Sequence, residues 1–371
     1  MLPAPVPPNS PVRLSRRAAL LGGAALSCSA GPVANDPGLH ERAMAGNRFF
    51  GTAVNDVLLA DDRAYMSQVR SECGMVTGET AFKWGELRPK ADRWNWAPAD
   101  RVMAFAARRG IQTRGHTLLW HEHNPQWLLD ELTPATAERL LTRHIEAVTT
   151  HCRDRAVQWD VVNEVLEPKD DRPFGFRDSV WYRAMGTRFI ETAFHACAQA
   201  DPLALRFIND YAMEYAWPEH EAKRQDMLAL LSRLKAQGVP VQGLGFQAHL
   251  EAGVDVDQTR LARFFADVAG LGIKIVVTEL DVRDNRIAGD AATRDAAVAS
   301  HTRAFMDVVL ACPAVMGVMS WGLSDRRSWL NDEMPRDDKQ PQRALPLDAD
   351  LRRKPMWTAL AEAFAAAPAR V

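Results

Sequence analysis

The chain has 371 residues, of which 47% are hydrophobic and 25% are charged, and its formal net charge is −2 at pH 7. This length and composition are typical of one large α/β barrel or of two ordinary domains. A balanced charge without an acidic tail or a polybasic block argues against nucleic acid as a partner and against electrostatic binding to a membrane surface. The 11 tryptophans outnumber the 4 tyrosines. Most should pack in the core, but exposed indole faces also suit stacking on sugar rings.

Residues 1–30 have the pattern of an export signal. Three arginines precede an apolar stretch at 18–26, and small residues follow at 28–30. The pair Arg16-Arg17 and its neighbours resemble a twin-arginine signal, which exports folded proteins to a periplasmic or secreted location. The apolar stretch is too short to cross a bilayer. Lipid attachment at Cys28 is an alternative, but Ala25 stands where lipoprotein signals usually have Leu, so no membrane attachment is expected after the signal is removed. An ordinary disordered tail is the alternative interpretation.

Residues 31–371 are expected to form one folded domain. Its four cysteines, Cys73, Cys152, Cys197 and Cys312, are scattered and show neither C-x-x-C nor a short Cys/His spacing. This argues against a zinc site. An exported protein could form a disulfide, but the spacing selects no pairing, and buried free thiols are predicted.

From Phe49 onward, short apolar runs alternate with longer helical patterns, which is typical of repeated βα units. Eight strands are predicted near 49–53, 73–77, 111–117, 157–162, 205–209, 243–248, 273–279 and 315–321. Helices are predicted to start at Thr133-Pro134 and Trp217-Pro218, and Gly238 and Gly272 are predicted helix stops. There is no G-x-G-x-x-G nucleotide loop. The predicted fold is therefore a single (β/α)8 TIM barrel of the α/β class.

Two of the predicted strands each lead into a glutamate. The run at 157–162 is followed by Asn163 and Glu164, and the run at 273–277 is followed by Thr278 and Glu279. The C-terminal ends of the strands of such a barrel lie on one face, where active sites form. We therefore expect Glu164 and Glu279 to meet across one groove, although they are far apart in sequence.

Other predicted strand ends also carry polar or aromatic residues, namely Glu79, Lys83, Trp84, His116, Trp120, Asn209, Tyr211, Gln247, His249 and Trp321. Taken alone, Glu79 and Lys83 suit a solvated salt bridge, and His116 equally suits a structural histidine. The chain has no G-x-S-x-G elbow, no phosphate loop and no metal-ligand spacing, so acid and base chemistry must come from carboxylates. Two glutamates among neutral side chains suit cleavage of a glycosidic bond, without a metal or another cofactor.

In this order, these residues resemble the family 10 glycoside hydrolases, the retaining endo-β-1,4-xylanases that degrade the polysaccharide xylan. The resemblance covers about residues 45–365. It rests on segments 50–54, 79–84, 115–121, 159–164, 209–211, 245–250, 277–281 and 321–329. It implies that Glu164 is the general acid/base and Glu279 the nucleophile of a double displacement.

The same resemblance implies roles for the residues around the two glutamates. Asn163 would bond the sugar 2-hydroxyl, while His249, held by Asp281, would orient the nucleophile. The implied sugar contacts are Glu79, Lys83, Trp84, His116, Trp120, Tyr211, Gln247, Trp321 and Trp329. The implied partner is xylan or a xylo-oligosaccharide, and a monomer is expected because the enzyme must dock on a long polymer.

Two departures from the family pattern bear on specificity. Thr80 stands where the family usually has Asn, and a hydroxyl replaces only part of the hydrogen bonding of an amide. Arg326 and Arg327 stand where other residues are common, and they suit either acidic decorations such as glucuronyl groups or a solvated loop. Hydrolysis of another β-1,4-linked glycan stays open, as does a sugar-binding protein that has lost catalysis.

Overall fold

The computed structural model describes residues 36–370, so the predicted export signal at 1–30 lies outside the described residues. The strands are β1 (Phe49–Val54), β2 (Met75–Gly78), β3 (Gln112–His116), β4 (Ala156–Asn163), β5 (Leu205–Asp210), β6 (Gly243–Phe246), β7 (His249–Glu251), β8 (Lys274–Arg283) and β9 (Val315–Ser320). The helices are α1 (Leu39–Met44), α2 (Asp56–Asp61), α3 (Arg63–Glu72), α4 (Trp84–Leu87), α5 (Ala97–Ala107), α6 (Gln126–Glu131), α7 (Ala137–Cys152), α8 (Val180–Met185), α9 (Arg188–Ala200), α10 (Pro218–Ala236), α11 (Gln258–Gly270), α12 (Ala291–Ala311), α13 (Leu330–Glu333) and α14 (Pro355–Ala366). Two short 3₁₀ turns, Pro168–Asp170 and Pro173–Gly175, follow β4.

Eight of these strands close into a parallel barrel. The hydrogen-bonded order is β6-β5-β4-β3-β2-β1-β9-β8, and β6 also pairs with β8, which closes the ring. Parallel neighbours need long crossover connections, which the helices provide. The predicted (β/α)8 barrel is confirmed. The short strand β7, which the sequence did not predict, pairs only with the end of β8 and places His249 opposite Asp281.

Element boundaries differ from the predictions at a few places. The regular part of α7 begins at Ala137 rather than at Thr133, because the intervening residues form a turn in which the Thr133 N–H donates to the Thr136 hydroxyl at 3.0 Å. Helix α10 begins at Pro218 as predicted. Gly238 and Gly272 follow the ends of α10 and α11 with φ of 72° and 70°. This left-handed conformation stops a helix, and glycine adopts it without a steric penalty.

A buried arginine explains why two polar residues interrupt the apolar strand β4. Gln158 and Asp160 lie two positions apart, on the same side of the strand, and both accept hydrogen bonds from Arg114 on β3. Arg114 and Asp160 are each 1% exposed, and the guanidinium lies 4.5 Å from the centre of the Phe207 ring. Removing one partner of such a pair costs about 3–5 kcal/mol. The pair therefore fixes β3 against β4 close to the strand ends that carry His116 and Glu164.

The described residues also bear on the cysteine, metal and membrane predictions. Cys73, Cys152 and Cys197 are buried free thiols, and Cys312 is a free thiol that is partly exposed. Within residues 36–370, no cluster of three or more His, Cys, Asp or Glu side chains could hold a metal ion. No helix in the same part of the chain is long and apolar enough to cross a membrane.

Candidate active site

Two amide residues bring Glu164 and Glu279 into one site by holding them crosswise. The Asn209 carbonyl accepts the Glu164 N–H at 2.8 Å, while its side-chain Nδ2 donates to Glu279 Oε1 at 2.7 Å. Gln247 does the converse: its carbonyl accepts the Glu279 N–H at 3.0 Å, and its Nε2 donates to Glu164 Oε1 at 3.0 Å. Each amide residue therefore fixes the backbone of one glutamate and the carboxyl group of the other.

Glu164 lies directly after β4, in surroundings that raise the pKa of its carboxyl group. Its φ is 56°, a left-handed value that is uncommon for residues other than glycine and that clusters at functional sites. The Trp120 indole donates to Glu164 Oε2 at 2.7 Å. Burial raises the pKa of Glu164. Hydrogen bonds from Gln247 and Trp120 oppose this rise, and the negative charges of Asp210 and Glu279 add to it.

Glu279 has the opposite electrostatic environment. Burial alone would raise the pKa of Glu279, but a hydrogen bond from His249, the positive potential of His116 and the Asn209 amide together lower it. His249 Nε2 lies 3.3 Å from Glu279 Oε2, and its Nδ1 lies 3.1 Å from both Asp281 oxygens. Burial lowers the pKa of His249, but the two carboxylates raise it well above its ordinary value. An imidazolium held between Asp281 and Glu279 keeps Glu279 ionised.

Two predicted sugar-contact tryptophans lie beside these histidines. The Trp329 indole donates to Asp281 Oδ2 at 2.7 Å and packs edge-on against His249 at 5.0 Å. Trp321 packs edge-on against His116 at 5.2 Å. Both indoles are partly exposed, so each has apolar surface available to a sugar ring. His116 itself is 2% exposed, and its Nδ1 lies 3.0 Å from Asp160 Oδ2, which favours a structural histidine at the floor of the site.

Lys83 and Glu79 extend the site from the end of β2. The Lys83 ammonium lies 4.6 Å from the centre of the Trp120 ring. Burial lowers the pKa of Lys83, while the charges of Glu279 and Glu164 raise it. Burial raises the pKa of Glu79, whose Oε2 accepts a long hydrogen bond of 3.4 Å from Asn55. Lys83 is buried and Glu79 is partly exposed, and no ion pair within 4.0 Å joins them among the described residues, so sugar contacts of Lys83 and Glu79 stay a prediction.

Tyr211 anchors the loop that follows Glu164. Its hydroxyl accepts from Arg177 Nη2 at 2.8 Å and donates to Glu167 Oε2 at 3.2 Å. Arg177 Nε also donates to the Glu164 carbonyl at 2.8 Å. Lys223 approaches from α10, and its ammonium lies 3.8 Å from the Tyr211 ring centre. This cluster holds the loop after β4, and with it the left-handed backbone of Glu164.

Trp84 lies outside the site, and the predicted sugar contact at this residue is wrong. Its side chain is 3% exposed and stacks on His144 with ring centres 3.6 Å apart and an interplanar angle of 4°. Trp181 packs against it at 5.3 Å. The indole belongs to the aromatic core beside α4, where its faces are covered by protein. Its position next to Lys83 in sequence suggested the rim, but the first turn of α4 directs it inward.

The two arginines of the loop after β9 have different environments. Arg326 is committed to the protein, because it donates to Asp62 at 2.8 Å and to the Ala349 carbonyl at 2.8 Å. Arg327 is exposed, and its charge counteracts the rise in the pKa of Glu79 that burial causes. A role with acidic decorations therefore stays a prediction for Arg327, whereas Arg326 has a structural partner.

The family model for glycosyl hydrolase family 10 matches residues 38–363, a span that includes every residue of the site described above. The chain belongs to glycosyl hydrolase family 10. Endo-1,4-beta-xylanase B of Thermotoga neapolitana is 32% identical over 328 residues, which are 87% of this chain and 88% of that protein. The native xylanase 10B structure from Thermotoga maritima has a TM-score of 0.81 at 33% identity, covering 88% of this chain and 98% of that one. Xylanase 10B from Thermotoga petrophila RKU-1, in complex with xylobiose, has a TM-score of 0.81 at 32% identity, with coverages of 89% and 97%.

The resemblance that the sequence suggested is thus confirmed, and this family 10 chain is a glycoside hydrolase. The sequence assigned no role to Asn209, Arg177 or Thr278, although all three contact the site. Asn209 was recognised as a polar residue at a predicted strand end, but the sequence did not indicate which groups it contacts. Arg177 gave no local signal, since its contact with Glu164 depends on how the loop after β4 folds back.

Proposed function

We propose that this family 10 hydrolase is an endo-1,4-β-xylanase that retains the anomeric configuration, with Glu164 as acid/base and Glu279 as nucleophile. The observation that carries the proposal is the arrangement of Glu164 and Glu279 in one hydrogen-bonded site, where their surroundings shift the two carboxyl pKa values in opposite directions. Paired carboxyl groups whose environments separate their pKa values can divide acid and nucleophile roles. The xylanase names of the matched relatives, and the xylobiose in one matched structure, support xylan as the substrate.

In the first step, ionised Glu279 attacks the anomeric carbon of the sugar at the cleavage point. The bond from this carbon to the glycosidic oxygen breaks, and the departing oxygen takes the proton of Glu164. A covalent glycosyl ester on Glu279 results, and Glu164 is left as a carboxylate. His249 and Asn209, each within hydrogen-bond distance of one Glu279 oxygen, hold the carboxylate in place for this attack.

The electrostatics of the site then favour the second step. The negative charge of Glu279 is one of the causes of the raised pKa of Glu164. This charge disappears when Glu279 becomes an ester, so the pKa of Glu164 falls and its ionised form is favoured. Glu164 can then take a proton from water as the water oxygen attacks the anomeric carbon and Glu279 leaves. Two inversions give net retention.

The dependence of kcat/KM on pH should be bell-shaped. Activity should rise as Glu279 ionises, below the ordinary glutamate range, and fall as Glu164 loses its proton, above that range. Because the Gln247 side chain lowers the pKa of Glu164, a Gln247→Met variant should move the alkaline limb to higher pH. The acid limb should stay in place, since the contact between Gln247 and Glu279 uses the backbone. Kinetics on a xylo-oligosaccharide, whose departing sugar needs the proton of Glu164, would measure both limbs across the pH range, and an alkaline limb at lower pH would contradict the assignment.

The substrate is tested by comparing products from unsubstituted xylan and from a β-1,4-glucan. We expect xylan to lose viscosity early and to give short xylo-oligosaccharides, with the β-anomer formed first in NMR spectra. Faster turnover of the glucan would assign another β-1,4-glycan as the substrate, and binding without hydrolysis would indicate a sugar-binding protein.

Export through residues 1–30 and a monomeric state stay predictions of the sequence.

A further inference from the structure

A chain of buried hydrogen bonds links Thr278 to the cleavage site. The Thr278 hydroxyl donates to Asn209 Oδ1 at 2.7 Å. Asn209 Nδ2 then donates to two oxygens, Asn163 Oδ1 at 2.8 Å and Glu279 Oε1 at 2.7 Å. Thr278, Asn209 and Asn163 are 2%, 0% and 3% exposed, so water cannot easily replace any of these bonds.

The direction of this chain follows from its acceptors. An ionised Glu279 carboxylate only accepts hydrogen bonds, so the Asn209 atom that faces it must be the amide nitrogen. The Asn209 oxygen is then turned to Thr278, whose hydroxyl must donate. The same Asn209 nitrogen faces Asn163 Oδ1, which leaves the Asn163 nitrogen as the group that can donate to a ligand. Reversing the Asn209 amide would place its oxygen against the oxygens of both Glu279 and Asn163.

The barrel is built to allow this arrangement. Thr278 and Glu279 are adjacent, and regular strand alternation would point their side chains to opposite faces. Strand β8 changes its register on β9 between Val277 and Leu280, and this irregular segment lets both side chains reach the site. In β6, the residue paired with Asn209 is Gly245, and an added Cβ there would lie 2.2 Å from Asn209 Oδ1. A glycine is therefore needed where the Asn209 amide lies across the neighbouring strand.

We propose that Thr278 is a positioning residue whose hydroxyl holds the Asn209 amide in the orientation that the Glu279 carboxylate requires, and thereby keeps Asn163 a hydrogen-bond donor to the 2-hydroxyl of the sugar at the cleavage point. This inference rests on the proposed function, because the sugar contact of Asn163 does. With Asn163 donating, the oxygen of the 2-hydroxyl accepts, and the hydroxyl proton is free to point toward the Glu279 carboxylate. Such bonds to the 2-hydroxyl strengthen in the transition state of glycoside cleavage.

The test compares Thr278→Val, which removes only the hydroxyl at nearly constant volume, with Thr278→Ser, which keeps it. Each enzyme is assayed on an aryl β-xylobioside and on the analogue with hydrogen in place of the 2-hydroxyl at the cleavage point. We define the preference as kcat/KM for the substrate with the 2-hydroxyl divided by kcat/KM for the analogue without it. This ratio should fall about tenfold in Thr278→Val, which corresponds to the contribution of one oriented hydrogen bond. Thr278→Ser should keep the wild-type preference.

The outcomes separate a positioning role from a general structural one. If Thr278→Val slows both substrates by the same factor, or if Thr278→Ser behaves like Thr278→Val, the inference is overturned. Should Thr278→Val fail to fold, Thr278→Ala removes the same hydroxyl without added bulk at the γ position and must show the same loss of preference. Wild-type enzyme that hydrolyses neither substrate would overturn the proposed function, and the inference with it. Wild-type turnover with an unchanged preference in the variants would overturn the inference alone.

Discussion

Glu279→Ala is expected to lower the hydrolysis of xylan by roughly 10⁴-fold or more, which is the scale of loss seen when a covalent nucleophile is removed. The reason is that no carboxylate remains to attack the anomeric carbon, so the glycosyl ester cannot form. Binding of xylo-oligosaccharides should remain, because Lys83, Tyr211 and Trp329 make their direct contacts with Trp120, Arg177 and Asp281 rather than with the Glu279 carboxylate. Initial rates on xylan and calorimetric titration with a xylo-oligosaccharide would measure the two effects separately.

A small external nucleophile makes this test specific for the role of Glu279. With an activated aryl β-xylobioside and azide, the Glu279→Ala variant should form the α-glycosyl azide, because azide attacks from the vacated side while Glu164 is still present. Glu138→Ala, an exposed change in α7 whose partner is Arg188, is the matched control and should leave the rate unchanged. Near-normal activity of Glu279→Ala on xylan would reject the assignment.

Glu164→Ala should have the second largest effect, and its size should depend on the leaving group. The departing oxygen of xylan needs a proton, so the rate of xylan hydrolysis should fall by about 10²–10⁴-fold, which is the usual contribution of general acid–base catalysis. An aryl glycoside whose phenolate leaves without a proton should still form the ester on Glu279, so its first step should be much less affected. The second step should become slow, and a burst of phenolate followed by a low steady state is expected in stopped-flow assays.

Azide distinguishes this variant from the first one. In Glu164→Ala, azide should attack the glycosyl ester on Glu279 and restore turnover with the β-glycosyl azide as product, since two displacements retain configuration. The alkaline limb of the pH profile should also disappear, because the group whose raised pKa causes it is gone. An α-azide from Glu164→Ala, or a β-azide from Glu279→Ala, would show that the two roles are exchanged.

The opposite pKa shifts come from contacts that no local sequence pattern contains. The pKa of Glu279 is lowered because His249, from β7, lies between Glu279 and Asp281, which is two residues further along β8. The pKa of Glu164 is raised because its carboxyl group is buried and lies near the negative charges of Asp210 and Glu279, which belong to two other strands. A sequence reader can see that both residues are strand-end glutamates. Which of them is protonated depends on the charges and donors that the closed barrel brings near each one.

The sequence alone determined the barrel and the location of its site. Eight short apolar runs that alternate with helical patterns predict eight parallel strands. The C-terminal ends of parallel strands in a barrel lie on one face, so Glu164 and Glu279 could be paired before any coordinates. Only the tertiary structure decided what each rim residue does. Trp84 follows the same strand as Glu79 and Lys83 but turns into the core against His144. Asn209 and Thr278, which no motif singled out for a role, orient the site through hydrogen bonds between strands. The physical reason is that strand formation depends on local periodicity, whereas side-chain direction, charge state and hydrogen-bond polarity depend on partners that are distant in sequence.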